Sequence, residues 1–155
     1  MSKRRLMAMV VGLCTALPAA PAMAWEFGMV GDQTFWTGVR DTEGKTQLVF
    51  FCSQAAPGVI QLQVFTPEPG PANPIPVELS FTTGAGSFGP VAVRATSLDG
   101  NLTIATTGMD LAAMNAAQSI YAETGDFTLS YYESTWHYPG ANHAEAFGAM
   151  LDACG

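Results

Sequence analysis

The sequence predicts a mainly β domain, an antiparallel β-sandwich or barrel-like unit with a short helix and a C-terminal helix. Three observations predict it. Short runs rich in aromatic and β-branched residues recur along most of the chain. Glycine, proline, asparagine and aspartate clusters separate them at the spacing of an all-β fold. A long apolar stripe of helical period appears at one place, near the end.

Taken in order, 25–31 and 33–40 alternate aromatic and polar positions, and Asp41-Thr42-Glu43-Gly44 is a turn. The run KTQLVFFCS at 45–53 is almost wholly apolar, as expected of a strand covered on both faces. Ala55-Ala56-Pro57-Gly58 turns the chain into 59–66, where Ile60, Leu62 and Val64 oppose Val59, Gln61, Gln63 and Phe65. Residues 67–76 hold five prolines and predict a stiff surface connection, because proline cannot donate to a strand ladder. Strands follow at 77–83, 88–97 and 101–107, the last two joined by the hairpin signal Asp99-Gly100. A short helix is expected at 109–117, where Leu111 and Met114 share a face, then strands at 118–123 and 126–132. The C-terminal helix starts at Asn142 as cap, with Glu145 three residues on, and aligns Phe147, Met150, Leu151 and Cys154 on one stripe.

The first 24 residues read as a cleavable export signal. Lys3, Arg4 and Arg5 are followed by an apolar run over 6–17, by Pro18, and by the small-x-small site Ala22-Met23-Ala24, so cleavage is expected between Ala24 and Trp25. A run of 12 residues is shorter than the roughly 20 a spanning helix needs, which argues against a stable membrane anchor. Arg4-Arg5 lacks the flanks of a twin-arginine signal. Leu13 before Cys14 is not the small residue a lipoprotein signal places there, so the general route and a periplasmic or secreted destination are expected.

The remainder, 25–155, is long enough for a single domain. It keeps Arg40, Lys45 and Arg94 against 13 carboxylates, a formal charge of −10, which repels nucleic acid and anionic lipid. With 48% apolar residues the chain is not a disordered acidic tail. Loss of Cys14 leaves Cys52 and Cys154, an even number in an oxidising compartment, hence one disulfide closing a loop of roughly 100 residues. No Cys-x-x-Cys suggests a redox-active pair.

Chemistry is sparse. His137 and His143, with Glu133 and Glu145, form the cluster within 133–145 from which a metal site could be built, although Pro139-Gly140 separates the two imidazoles and a solvated loop with a helix cap is the expected reading of the segment. There is no Gly-x-Ser-x-Gly elbow. The stretch 84–89 (GAGSFG) lacks the lysine and helix of a phosphate loop and reads as a turn. Asn101-Leu102-Thr103 matches a glycosylation acceptor that carries little meaning in a chain of bacterial type. The aromatics Trp25, Phe27, Phe35, Trp36, Tyr131, Tyr132, Trp136 and Tyr138 line either a groove or, as is commoner on strands, the core. No catalytic residue, cofactor or metal ligand is assigned. The expected function is a non-enzymatic interaction domain with a protein partner in the cell envelope. The alternative is a small metal-binding protein or hydrolase using His137 and His143.

Trp25, LVFFC at 48–52, LAAMNAAQS at 111–119, Phe127-Thr-Leu129 and AFGAMLDAC at 146–154 give an order of elements that resembles small exported alphaproteobacterial proteins of the invasion-associated locus B-like group, with type VI secretion accessory proteins similar in outline. The resemblance implies a β-sandwich-like periplasmic protein with envelope or host-interaction roles and no catalytic residues to carry over.

Overall fold

In the computed structural model, which describes residues 24–106, 118–120, 122 and 125–154, period-two burial is clearest along β4 to β9 and organises the chain. Nine strands are seen among the described residues: β1 Glu26–Val30, β2 Thr34–Arg40, β3 Gln47–Ser53, β4 Ala56–Pro69, β5 Ile75–Thr83, β6 Gly86–Leu98, β7 Asn101–Ala105, β8 Phe127–Tyr131 and β9 Ser134–Tyr138. The C-terminal helix, α1, spans His143–Cys154. The strands form one sheet in the order β1-β2-β3-β4-β7-β6-β5-β8-β9, every pair antiparallel.

One face of nearly every strand supplies the core: Leu48, Phe50 and Cys52 from β3, Ile60, Leu62 and Val64 from β4, Val77, Leu79 and Phe81 from β5, Val91, Val93 and Ala95 from β6. Leu102, Ile104, Phe127, Leu129, Trp136 and Tyr138 continue the same face through β7, β8 and β9. A single face can enclose one core only if the sheet curls around it. The curl brings the two ends together: Thr42 N–H, just after β2, donates to the β9 carbonyl of His137 at 2.8 Å, and Trp25 N–H, just before β1, donates to Ala141 O at 3.0 Å. The result is barrel-like rather than a two-layered sandwich.

Helix α1 packs its stripe of Ala146, Phe147, Met150 and Cys154 into this core. Phe147 meets Phe50 at 5.1 Å and Trp25 at 5.0 Å between ring centroids. The Cys52 and Cys154 sulfurs lie at bonding distance with Cα atoms 6.1 Å apart, tying the end of α1 to β3. Leu151, expected on the stripe, is exposed, because the buried arc is centred on Phe147 and Met150 and the 151 position rotates past its edge. Asn142 precedes the helix but has φ 61 and makes no side-chain hydrogen bond. The first turn is held instead by His143, whose Nδ1 lies 2.8 Å from Gly140 O.

Several expectations are corrected. Residues 118–120 and 122 are helical, not part of a 118–123 strand; Ile120 is buried while 118, 119 and 122 are exposed, so a single anchor and no alternating face was there to make a strand. The helix expected at 109–117 lies outside the described residues. The turn before β4 is at 54–55, with Ser53 opposite Ala56, so Pro57 and Gly58 already belong to the strand. Half of the proline-rich 67–76 segment is strand, and only 70–74 connects β4 to β5. Pro69 sits beyond a bulge in the β4–β7 ladder, and Pro76 lies where β5 pairs with β6 alone, since β8 meets β5 at Ser80–Thr82. Those are the positions in a sheet where a missing N–H costs least. Finally, 134–138 is strand β9 and not a solvated loop. The Asp99-Gly100 hairpin forms as expected, with φ 52 and 83 at its two residues and Leu98 opposite Asn101.

Tyr138 carries an unsatisfied interior group: its hydroxyl is buried without a hydrogen-bond partner. Burial, with a smaller contribution from the Asp41 charge, pushes its ionisation well above the ordinary tyrosine value of about 10. The unfolded phenol therefore releases its proton at a pH where the folded one keeps it, and stability falls as pH rises above about 10. Tyr138→Phe should raise the urea midpoint by the equivalent of about 1 kcal/mol at neutral pH, since it removes a hydroxyl that gains nothing inside. It should also remove this part of the alkaline destabilisation. An unchanged or lowered midpoint would show that the hydroxyl is satisfied in solution.

Candidate functional site

Two features stand out from the curled sheet. The first is a cleft at its mouth, at the end of β3 away from Cys52. Asp41 follows the last residue of β2 and organises the turn below it: its N–H donates to Thr46 O at 2.8 Å, its carbonyl accepts from Gly44 N–H at 2.9 Å, and its Oδ1 accepts from Lys45 N–H at 2.7 Å. Gly44, at φ 74, takes the left-handed conformation this turn requires. The end of β4 supplies Thr66 and Glu68, and β9 supplies Trp136 and His137. The cavity is about 360 Å³, within the range of small-molecule sites, which favour barrel mouths.

Its polarity is uneven. Asp41, Thr46, Thr66 and Trp136 are buried, whereas Glu43 and Lys45 are exposed and pair with each other at 2.8 Å. The hydrogen bond from the Lys45 ammonium holds Glu43 below the ordinary carboxylate value, and Glu43 in turn raises Lys45. The cleft's cation is thus already engaged, while Asp41 has backbone N–H as its one hydrogen-bond donor.

The histidines go to different tasks. His137 is exposed on β9, opposite Thr128, and its backbone carbonyl holds the 41–46 turn. His143 is buried at the start of α1 against Gly140 O. Among the described residues no group of three or more histidine, cysteine, aspartate or glutamate side chains gathers as a metal site. The aromatics divide likewise. Trp25, Trp136 and Tyr138 belong to the core, with Phe35 and Tyr131 half-buried against it. Phe27 and Tyr132 face solvent, so these side chains line no common groove. Asp41, Thr46 and Thr66 carried no functional signal in the sequence; the turn at 41–44 was legible, its neighbour β9 nearly a hundred residues away was not.

The second feature is the outer edge of β1, which among the described residues pairs only with β2. Met29 and Val30 are each 58% exposed and Phe27 43%, with Phe27 stacked on Phe35 at 6.2 Å. Under β1, the indole of Trp36 covers Gly28 so closely that an added Cβ would lie 2.6 Å from the ring.

No helix among the described residues is long and apolar enough to cross a membrane. No protein-family model, no curated protein and no solved structure matches the chain.

Proposed function

We propose that the chain is an exported, non-enzymatic interaction domain of the periplasm or the cell exterior, stapled by Cys52–Cys154, and that a protein partner joins it at the β1 edge. The observation that carries this reading is the exposure of Phe27, Met29 and Val30 on a strand bonded along one side only. Unpaired N–H and C=O groups on an edge strand template another strand, and folded domains normally blunt such an edge with lysine, proline or a bulge. β1 has none of these devices, and its one charge, Glu26, lies at its start. Main-chain pairing would give a partner affinity, and the alternating side chains would give selectivity. Export is supported by the three-part leader, and the disulfide pair agrees with an oxidising compartment.

The test uses the processed, oxidised domain to capture partners from periplasmic extract, beside a Phe27→Glu, Met29→Glu double variant. A partner held by the wild type and lost, or weakened at least about tenfold, by the variant supports the reading, since about 1.4 kcal/mol of lost apolar contact is one decade. Capture that the variant leaves unchanged removes β1 as the docking edge. Mass analysis of the exported form should find Trp25 as its first residue.

A further inference from the structure

We propose that the cleft at the barrel mouth binds the ammonium group of a small organic amine. This site is separate from the β1 edge and does not depend on it.

Two residues that are largely buried as a whole present polar atoms without a protein partner to this cleft. Thr46 is 2% exposed and lines the cleft, and among the described residues its hydroxyl has no hydrogen-bond partner. Trp136 is 7% exposed and lines the same cleft; among the described residues its indole N–H has no hydrogen-bond partner, and an ammonium, itself a donor, leaves that N–H to water. Neither atom is sealed away: among the described residues the hydroxyl of Tyr138 is the buried polar side-chain atom that lacks both a partner and access. The free hydroxyl and N–H therefore reach solvent through the cleft they line. Water in the cleft can pair with both groups, and a ligand that displaces it must offer the Thr46 hydroxyl a partner in exchange.

Charge selects the ligand. Asp41 is 4% exposed, and its carboxylate is bonded through Oδ1 to the Lys45 backbone N–H and through Oδ2 to nothing in the protein. Glu68 also lines the cleft, and the exposed Glu43 already holds the neighbouring Lys45. The carboxylate oxygen left open on the cleft side can meet a cation, and the charge-assisted bond an ammonium N–H makes to it is about twice as strong as a neutral one. A divalent metal fits less well, because no group of three or more ligating side chains converges among the described residues. The indole wall suits the methylenes of an alkylamine, and the Thr46 hydroxyl can accept an ammonium proton. A volume of about 360 Å³ admits a molecule of a few carbons and excludes a folded partner.

The experiment titrates 1,4-diaminobutane into the oxidised domain by calorimetry, beside choline and calcium chloride. A saturable Kd at or below about 1 mM is expected, weakened at least about tenfold by Thr46→Val and by Glu68→Gln. Thr46→Val keeps the shape and removes an unpartnered hydroxyl, so the thermal melt should not fall. Glu68→Gln changes an exposed side chain outside the turn, and Asp41→Asn, which keeps the acceptor for Lys45 N–H, adds a third reading where it folds. Choline, with no N–H, should bind at least about tenfold more weakly. No saturable binding of the diamine below about 10 mM, equal binding by choline, equal binding by the variants, or calcium bound in preference to the diamine would each overturn the proposal.

Discussion

Separating Cys52 from Cys154 should have the largest effect on this domain. The pair joins residues 102 apart in sequence, and closing a loop that long restricts the unfolded chain by about 4–5 kcal/mol in the chain-entropy account. Whole domains are stable by roughly 5–15 kcal/mol, so the loss is a large share of the total. For a domain of this size the melting temperature should drop by about 10–20 °C. The measurement compares a Cys52→Ala, Cys154→Ala variant with the oxidised protein, and both with reduced wild type, which lacks the bond but keeps the side-chain volume. Reduced and double-alanine forms should melt close together and well below the oxidised form. If all three melt at the same temperature, the bond constrains nothing that packing had not already fixed. Cys52 lies in the core beside α1, and Gln54 Nε2 adds a hydrogen bond to Ala153 O at 2.7 Å. Reduction should therefore loosen the end of α1 before the rest of the sheet, which hydrogen exchange at 150–154 would report.

Truncating Trp25 to alanine should cost about 3–5 kcal/mol, the range for a large aromatic removed from a core. Trp25 is 4% exposed and sits where the curled sheet meets itself. Its ring lies 6.3 Å from Phe50 on β3, 6.0 Å from Phe127 on β8 and 5.0 Å from Phe147 on α1, and its indole N–H donates to Pro139 O at 2.9 Å. One side chain thus ties three elements that no local ladder connects. Trp25→Phe keeps much of the packing and loses the hydrogen bond, leaving Pro139 O without this donor, and should cost about 1 kcal/mol. Urea unfolding separates the two variants, and equal, small losses would mean that the ends of the sheet are held by backbone bonds alone. The same position gives the proposed cleavage a structural consequence: processing after Ala24 makes Trp25 the first residue, and processing one residue later would remove the tie.

The strands were legible because each buries a single face, and a face repeating every second residue leaves a local trace. Ile60, Leu62 and Val64 could be read as inward from the neighbouring glutamines, and the structure places all three in the core. Asp99-Gly100 was legible because a two-residue hairpin demands left-handed backbone that few residues adopt. The misreadings came where a local cue competed with the sheet. Proline at 69 and 76 argued for a connection, yet a bulge and an unpaired side of β5 accommodate both. Residues 134–138 looked like loop because Ser134, Thr135 and His137 are polar, but in an edge strand Thr135 and His137 point outward while Trp136 and Tyr138 fill the interior.

From its residues alone, the chain determines a mainly β domain with an apolar helix at its end, because composition and period are properties of short segments and of counts. Only the tertiary structure decides that nine strands curl into one sheet, that Thr42 meets His137 across that curl, and that Asp41, Thr46 and Trp136 share a cleft. Those neighbours lie some ninety residues apart along the chain. Their meeting depends on the order of strands in the sheet and on how far it bends, quantities set by the packing of the whole core.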